Sequence, residues 1–239
     1  MSITTPPLQP PSDHKAGVLE AGLFYPESDG QPMAEKTEQF QWIVTIQGNL
    51  DGWFRNREDA FVAGNLLWYP VEGQPWVRTA PDVLVVFGRP KGRRGSYLQW
   101  KEAGIAPQVV FEIWSPSNKQ SEKEEKLAFY DCYGVEEYYA YDPETGEVEG
   151  WIRQKGKLAP IAEMRGFSSP RLGIRFELED RELALYLPDG RKFETPVELM
   201  ARVEAEQAAE ALARAEAERV AKEAAWAKLR ELDIDPESL

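Results

Sequence analysis

Histidine is almost missing from this chain of 239 residues: the single one, His14, lies in a proline-rich stretch near the N-terminus. Mechanisms that draw an imidazole from a folded core are thereby set aside. These include Ser-His-Asp and Cys-His catalysis, HExxH metalloproteases and histidine-rich zinc sites. Cysteine is as scarce. Cys132 alone forms neither an internal disulfide nor a CxxC zinc site, and without a core histidine it reads as a buried structural thiol. Positive charge is in deficit, with 28 Lys and Arg against 41 Asp and Glu, a formal net charge of −13. Such a surface does not coat a polyanion by bulk charge, so a nucleic acid has to be met at a local basic patch or through a metal ion. No apolar run approaches the roughly 20 residues that span a bilayer, so no membrane partner is expected. The opening MSITTPPLQPPSDHK lacks the apolar stretch of a signal peptide, and a cytoplasmic location is expected.

What remains is a globular composition, 42% hydrophobic with 8 Trp. Residues 1–36 read as an extended N-terminal arm, because proline lacks an amide donor and disfavours helix. From Thr37 a helix is predicted, with Phe40, Ile43, Val44, Gln47 and Leu50 on one face. Strand signals follow at 61–70, 81–88, 108–116 and 136–143; the runs PDVLVVFG and QVVFEIWSP suit strands buried on both faces. A DPETG turn then leads into EVEGWIR as a hairpin, and 172–191 alternates around a tight turn as another. Between two buried strands, 118–133 reads as a helix capped by Asn118 and stopped by Gly134. Strand, helix, strand is a crossover unit and requires part of the sheet to be parallel. The expected fold is α/β: a body over 37–196 with a mixed sheet, flanking helices and extra hairpins. The C-terminal segment 197–239 is Ala, Glu and Arg-rich, and its composition predicts a helix over 197–232, roughly 50 Å long. Its 4-3 stripe of Ala213, Ala217, Val220, Ala224 and Ala227 is thin. It suits a solvated helix or a weak coiled-coil contact through which the chain could form a homo-oligomer.

An ionisable residue in an apolar strand costs free energy unless paired, metal-bound or at the strand end. Asp82 opens PDVLVV and Glu112 interrupts VVFEIW. Carboxylates at the ends of adjacent buried strands can share one hard cation such as Mg²⁺ or Mn²⁺, which favours oxygen ligands and polarises a phosphate. Alternatively, Asp82 is a turn residue and Glu112 pairs with a cation of the chain.

The ordered motifs SDGQPMAE, AGNLLWYP, APDVLVVFG, FEIWSPSN, EKEEKLAFY and YGVEEYYAYDP, with the tail LRELDIDPES, resemble the Uma-type restriction-endonuclease family. That family is part of the PD-(D/E)xK nuclease-like superfamily, and the resemblance covers nearly the whole chain. It implies a restriction-endonuclease-like core and a divalent-metal-dependent endonuclease hydrolysing phosphodiester bonds in DNA. Asp82 and Glu112 match the motif acids. The superfamily lysine would stand two positions after the acid, where this chain has Trp114. In the Uma-type family a lysine on the following helix is found instead, after Ser-Pro-Ser-Thr and an Asp. Here Ser115, Pro116, Ser117, Asn118 and Glu122 precede Lys126, which the resemblance makes the catalytic lysine. Glu35, or Glu38 in its place, is a further candidate metal ligand. The stretch 88–101 carries Arg89, Lys91, Arg93, Arg94 and Lys101 without an acid, and could meet phosphates or form a solvated loop. Two other readings stay open: a catalytically inactive nuclease-fold module that binds or assembles through the C-terminal helix, and a small-molecule binder with an aromatic pocket.

Overall fold

The computed structural model of the chain describes residues 16–27, 37–115, 117–180 and 182–231, so His14 and Glu35 lie outside the described residues. Two compact units divide the chain, one ending at Phe193 and one beginning at Glu194.

In the first unit, β1 (Gly17–Glu20) and β2 (Leu23–Pro26) pair as a hairpin. Ala21 and Gly22 turn it with φ of 49° and 80°, a twist that matches paired strands. This part of the predicted arm is sewn into the unit. Tyr25 is buried edge-on to Tyr69 and accepts a hydrogen bond from the Gly73 amide, while the Tyr69 hydroxyl donates to the Pro26 carbonyl. Helix α1 (Thr37–Trp53) buries Ile43, Ile46 and Leu50. Its apolar stripe is rotated from the predicted one: Phe40 is exposed, and Ile46 takes the inward place.

Next come β3 (Ala60–Gly64), β4 (Trp68–Tyr69), β5 (Val83–Phe87), β6 (Tyr97–Leu98) and β7 (Val109–Ile113). They are followed by α2 (Gln120–Cys132), β8 (Glu137–Asp142), β9 (Glu147–Gln154), β10 (Lys157–Pro160), β11 (Arg175–Glu179) and β12 (Glu182–Tyr186). Six strands form one mixed sheet in the order β10-β9-β8-β7-β5-β3. Its neighbours are antiparallel except β7 and β8, which α2 joins in parallel, as the crossover pattern requires. The predicted strand over 61–70 is two strands: Asn65, with φ of 49°, ends β3, and β4 pairs instead with β6.

Every residue of β5 and β7 is buried, with alternate side chains feeding two cores. On one face Val83, Val85, Phe111 and Ile113 pack with Ile46 of α1 and with Phe176 and Leu185 of the β11–β12 hairpin. On the other, Leu84, Val86, Val110 and Trp114 pack with Trp68 and with Tyr130 of α2. Helix α2 begins where the Glu122 carboxylate accepts a hydrogen bond from the Lys119 amide at 3.1 Å. Asn118 is not its cap. Its side-chain oxygen accepts from the Ser115 amide instead and shapes the turn out of β7. Gly134 ends the helix with φ of 91°, and Cys132 is exposed rather than buried.

The second unit is α3 (Pro196–Glu231). Thr195 and Glu198 cap it reciprocally: the Thr195 hydroxyl accepts from the Glu198 amide, and the Glu198 carboxylate accepts from the Thr195 amide. Ion pairs such as Arg214–Glu218 and Arg219–Glu223 decorate a helix whose described side chains are nearly all exposed. No helix among the described residues is long and apolar enough to cross a membrane.

Candidate active site

β5 and β7 pair with Val83 opposite Phe111 and Leu84 opposite Val110. One step further along that register Asp82 stands opposite Glu112, and alternation turns both toward α2. The same antiparallel register that sets Leu84 against Val110 here sets two carboxylates side by side. Asp82, 9% exposed, accepts a hydrogen bond from the Ile113 amide at 2.6 Å, and its own carbonyl takes the Asn65 amide. The Ile113 carbonyl is held in turn by the Gln39 side chain of α1 at 2.8 Å. The strand end beside Glu112 is thus fixed from two directions.

Glu112 is 1% exposed, and both of its oxygens have donors from α2. Lys126 Nζ donates to Oε2 at 2.6 Å, and the Tyr130 hydroxyl donates to Oε1. Lys126 and Tyr130 stand four apart on one helix face, the spacing that lets two side chains reach one point. Burial draws the Lys126 pKa down, but the Glu112 and Asp82 anions outweigh it and hold the ammonium above its ordinary value of 10.5. Burial, reinforced by the Glu112 anion, pushes the Tyr130 phenol well above its ordinary value, so it stays a hydrogen-bond donor. Its ring is stacked on Trp68 and set against Tyr138, which fixes the hydroxyl in place.

Trp114 is two residues beyond Glu112 on the same face and 3% exposed. Lys123 and Lys126 each hold an ammonium 5.5 Å from its ring centroid. The row of cross-strand neighbours continues beyond Glu112 to Ala140 on β8 and Glu149 on β9. Burial and the neighbouring Glu147 raise the Glu149 pKa, and Lys123 opposes them.

The sequence-derived residues are not all together. Asp82, Glu112 and Lys126 converge. Glu38 is exposed, and the residue of α1 that reaches this strand end is its neighbour Gln39. The basic stretch leaves β5 at the end opposite Asp82, and most of its charge is neutralised within the chain. Arg89 and Arg94 both bind Glu102, Lys91 binds Asp51 and Lys101 binds Glu20; Arg93 is exposed. The sequence reading also passed over Tyr130, which has the signature of any core aromatic, and Gln39, whose neutral amide draws no attention on a helix.

The donor set suits a hard cation, since Asp82 and Glu112 offer only oxygen. Among the described residues no group of three His, Cys, Asp or Glu side chains forms a metal centre. A cation here would rest on two carboxylates and complete its shell with water or backbone oxygen, which Mg²⁺ accepts.

A mixed sheet with paired acids and a lysine on the crossover helix is the arrangement expected of a restriction-endonuclease-like core. The chain belongs to the Uma2 family, described as "Putative restriction endonuclease", which matches residues 25–184. That span includes Asp82, Glu112 and Lys126 and stops before α3. No curated protein matches the chain. A solved structure described as a "putative nuclease belonging to DUF820" from Anabaena variabilis is 16% identical. The match covers 67% of this chain and 83% of that one, with a TM-score of 0.41.

Proposed function

We propose that the chain is a divalent-metal-dependent endonuclease that hydrolyses phosphodiester bonds in DNA. Asp82 and Glu112 hold Mg²⁺ or Mn²⁺, and Lys126 acts at the phosphate or the attacking water. The observation that carries this reading is the buried cross-strand pair of carboxylates beneath a lysine 2.6 Å from one of them. Two adjacent buried anions repel, and one ammonium offsets only part of that repulsion, so the pair is built to accept further positive charge. The bound cation supplies Lewis acidity and neutralises charge that develops on the phosphate. The chain's own residues do the rest. The Ile113 amide orients Asp82, Tyr130 fixes Glu112, and the Lys126 ammonium stabilises an oxyanion or orients a water. The paired basic stretch has no part in this assignment.

The inactive-module reading has one observation in its favour: both Glu112 oxygens already have donors. One pair of measurements separates the two. Titration calorimetry with Mn²⁺ should give binding to the wild type that is lost in Asp82→Ala and Glu112→Ala, and those variants should lose metal-dependent cleavage of duplex DNA. Equal Mn²⁺ affinity in the wild type and the double variant would refute the site. Metal binding without cleavage would support the inactive module.

A further inference from the structure

Lys123 is a cation of α2 whose charge no ion pair among the described residues cancels, as is the exposed Lys119 at the helix start. Lys126 is neutralised by Glu112, and Arg89, Arg94, Lys91 and Lys101 each have a carboxylate partner within 3.1 Å. Among the described residues no carboxylate forms an ion pair with Lys123. Its ammonium lies over the Trp114 ring, 5.5 Å from the centroid, and Glu149 acts on it at longer range. A ring face attracts an ammonium without cancelling its charge, so it orients a cation that remains available to an anion. Lys123 is also half-buried, not a fully extended surface lysine. It precedes Lys126 by three residues and so shares its helix face, displaced by about one turn, or roughly 5 Å.

On these grounds we propose that Lys123, held by Trp114, is a phosphate-binding residue that takes a backbone phosphate of the DNA strand next to the one at Lys126. The assignment rests on the endonuclease reading above. It gives the aromatic at position 114 a definite task. Where a side chain two residues after Glu112 could have presented its own charge, Trp114 presents a ring that organises two lysines from α2. It also explains how a chain of net charge −13 can engage a polyanion: the contact is confined to a few cations beside the carboxylates.

The test is the salt dependence of binding, read separately from cleavage. Affinity of the full-length protein for a fluorescent 20-base-pair duplex is measured between 50 and 200 mM KCl, with EDTA and again with Ca²⁺. Each phosphate contact contributes about 0.9 to the slope of log affinity against log salt. Lys123→Met should lower the slope by about that amount, and Lys123→Arg should restore it. Arg93→Met removes the same charge from the exposed stretch at the other end of β5 and should leave the slope unchanged. In Mg²⁺, Lys123→Met should raise KM several-fold with kcat within a factor of two. A slope unchanged in Lys123→Met, or lowered equally in Arg93→Met, would overturn the assignment while leaving the endonuclease reading intact. Absence of duplex binding by the wild type in both conditions would overturn both. A slope change in a protein that binds but does not cleave would uphold the phosphate contact and count only against catalysis.

Discussion

Replacing Lys126 by Met tests the energetics of the site without any metal. The substitution keeps an unbranched side chain of similar length and removes the charge. It leaves Glu112, 1% exposed, with only the Tyr130 hydroxyl as a donor. Removing one partner of a buried ion pair costs about 3–5 kcal/mol. Two features lower that figure here. The Lys126 side chain is 29% exposed, so part of its charge is screened by water, and Tyr130 still satisfies one oxygen. A loss of about 2–3 kcal/mol at pH 7 follows, which for a unit of this size lowers Tm by about 5–10 °C. The double variant Glu112→Gln, Lys126→Met should recover most of the loss, since the buried Glu112 charge that the ammonium offsets is gone as well. Urea titrations of the four proteins in EDTA at pH 7 measure the cycle. A Lys126→Met protein within 0.5 kcal/mol of wild type at pH 7, or a double variant weaker than the single, would show that the pair is not what holds Glu112 in the interior.

Tyr130→Phe keeps the ring between Trp68 and Tyr138 but removes a hydrogen bond to a buried charge. About 1.5–3 kcal/mol of stability should be lost, visible as a lower urea midpoint at constant m-value; an unchanged midpoint contradicts the assigned contact. The phenols of Tyr97, Tyr130, Tyr138 and Tyr139 are all raised, chiefly by burial. The folded chain therefore retains protons that unfolded tyrosines release near pH 10, so the stability these phenols confer is complete below that pH and lost above it. Urea midpoints should fall steeply from pH 10 to 11.5, and a flat profile is the contrary result. A chain ending at Phe193 should keep its cooperative melting transition within about 2 °C, because α3 has few buried apolar side chains to lose; a broadened, non-cooperative melt would oppose this.

Asp82 and Glu112 stand out in the sequence because each interrupts or opens an apolar strand, where an unpaired charge is costly. Their place at the ends of adjacent buried strands is legible there too, but the register that sets them opposite each other comes from the structure. Lys126 is different. On residues alone it is one lysine among several on a polar helix, and only the family resemblance singles it out. Tyr130 and Gln39 carry no such mark, because their roles depend on a pair of oxygens and a carbonyl supplied from distant strands. The stripe of α1 read from spacing runs through Phe40 and Val44, whereas burial, set by the angle of the helix on the sheet, falls on Ile46 and leaves Phe40 exposed. The β1–β2 hairpin was hidden by the prolines around it, although GVLE-AG-LFYP has the alternation and turn of a hairpin.

The parallel pairing of β7 with β8 has a consequence for how the site comes into being. Glu112, Lys126 and Tyr130 all belong to one continuous stretch of strand, helix and strand, so their contacts close loops of only 14 and 18 residues. Asp82 arrives from 31 residues away and joins only when β5 docks on β7. Longer loops cost more entropy to close, and non-local strand pairing tends to come late. The glutamate thus acquires its ammonium and phenol partners within a local unit, and the second acid is added by a separate, longer-range event. If the proposed site takes a divalent ion, its capture during refolding would follow the docking of β5 on β7, and a bound ion would report that step.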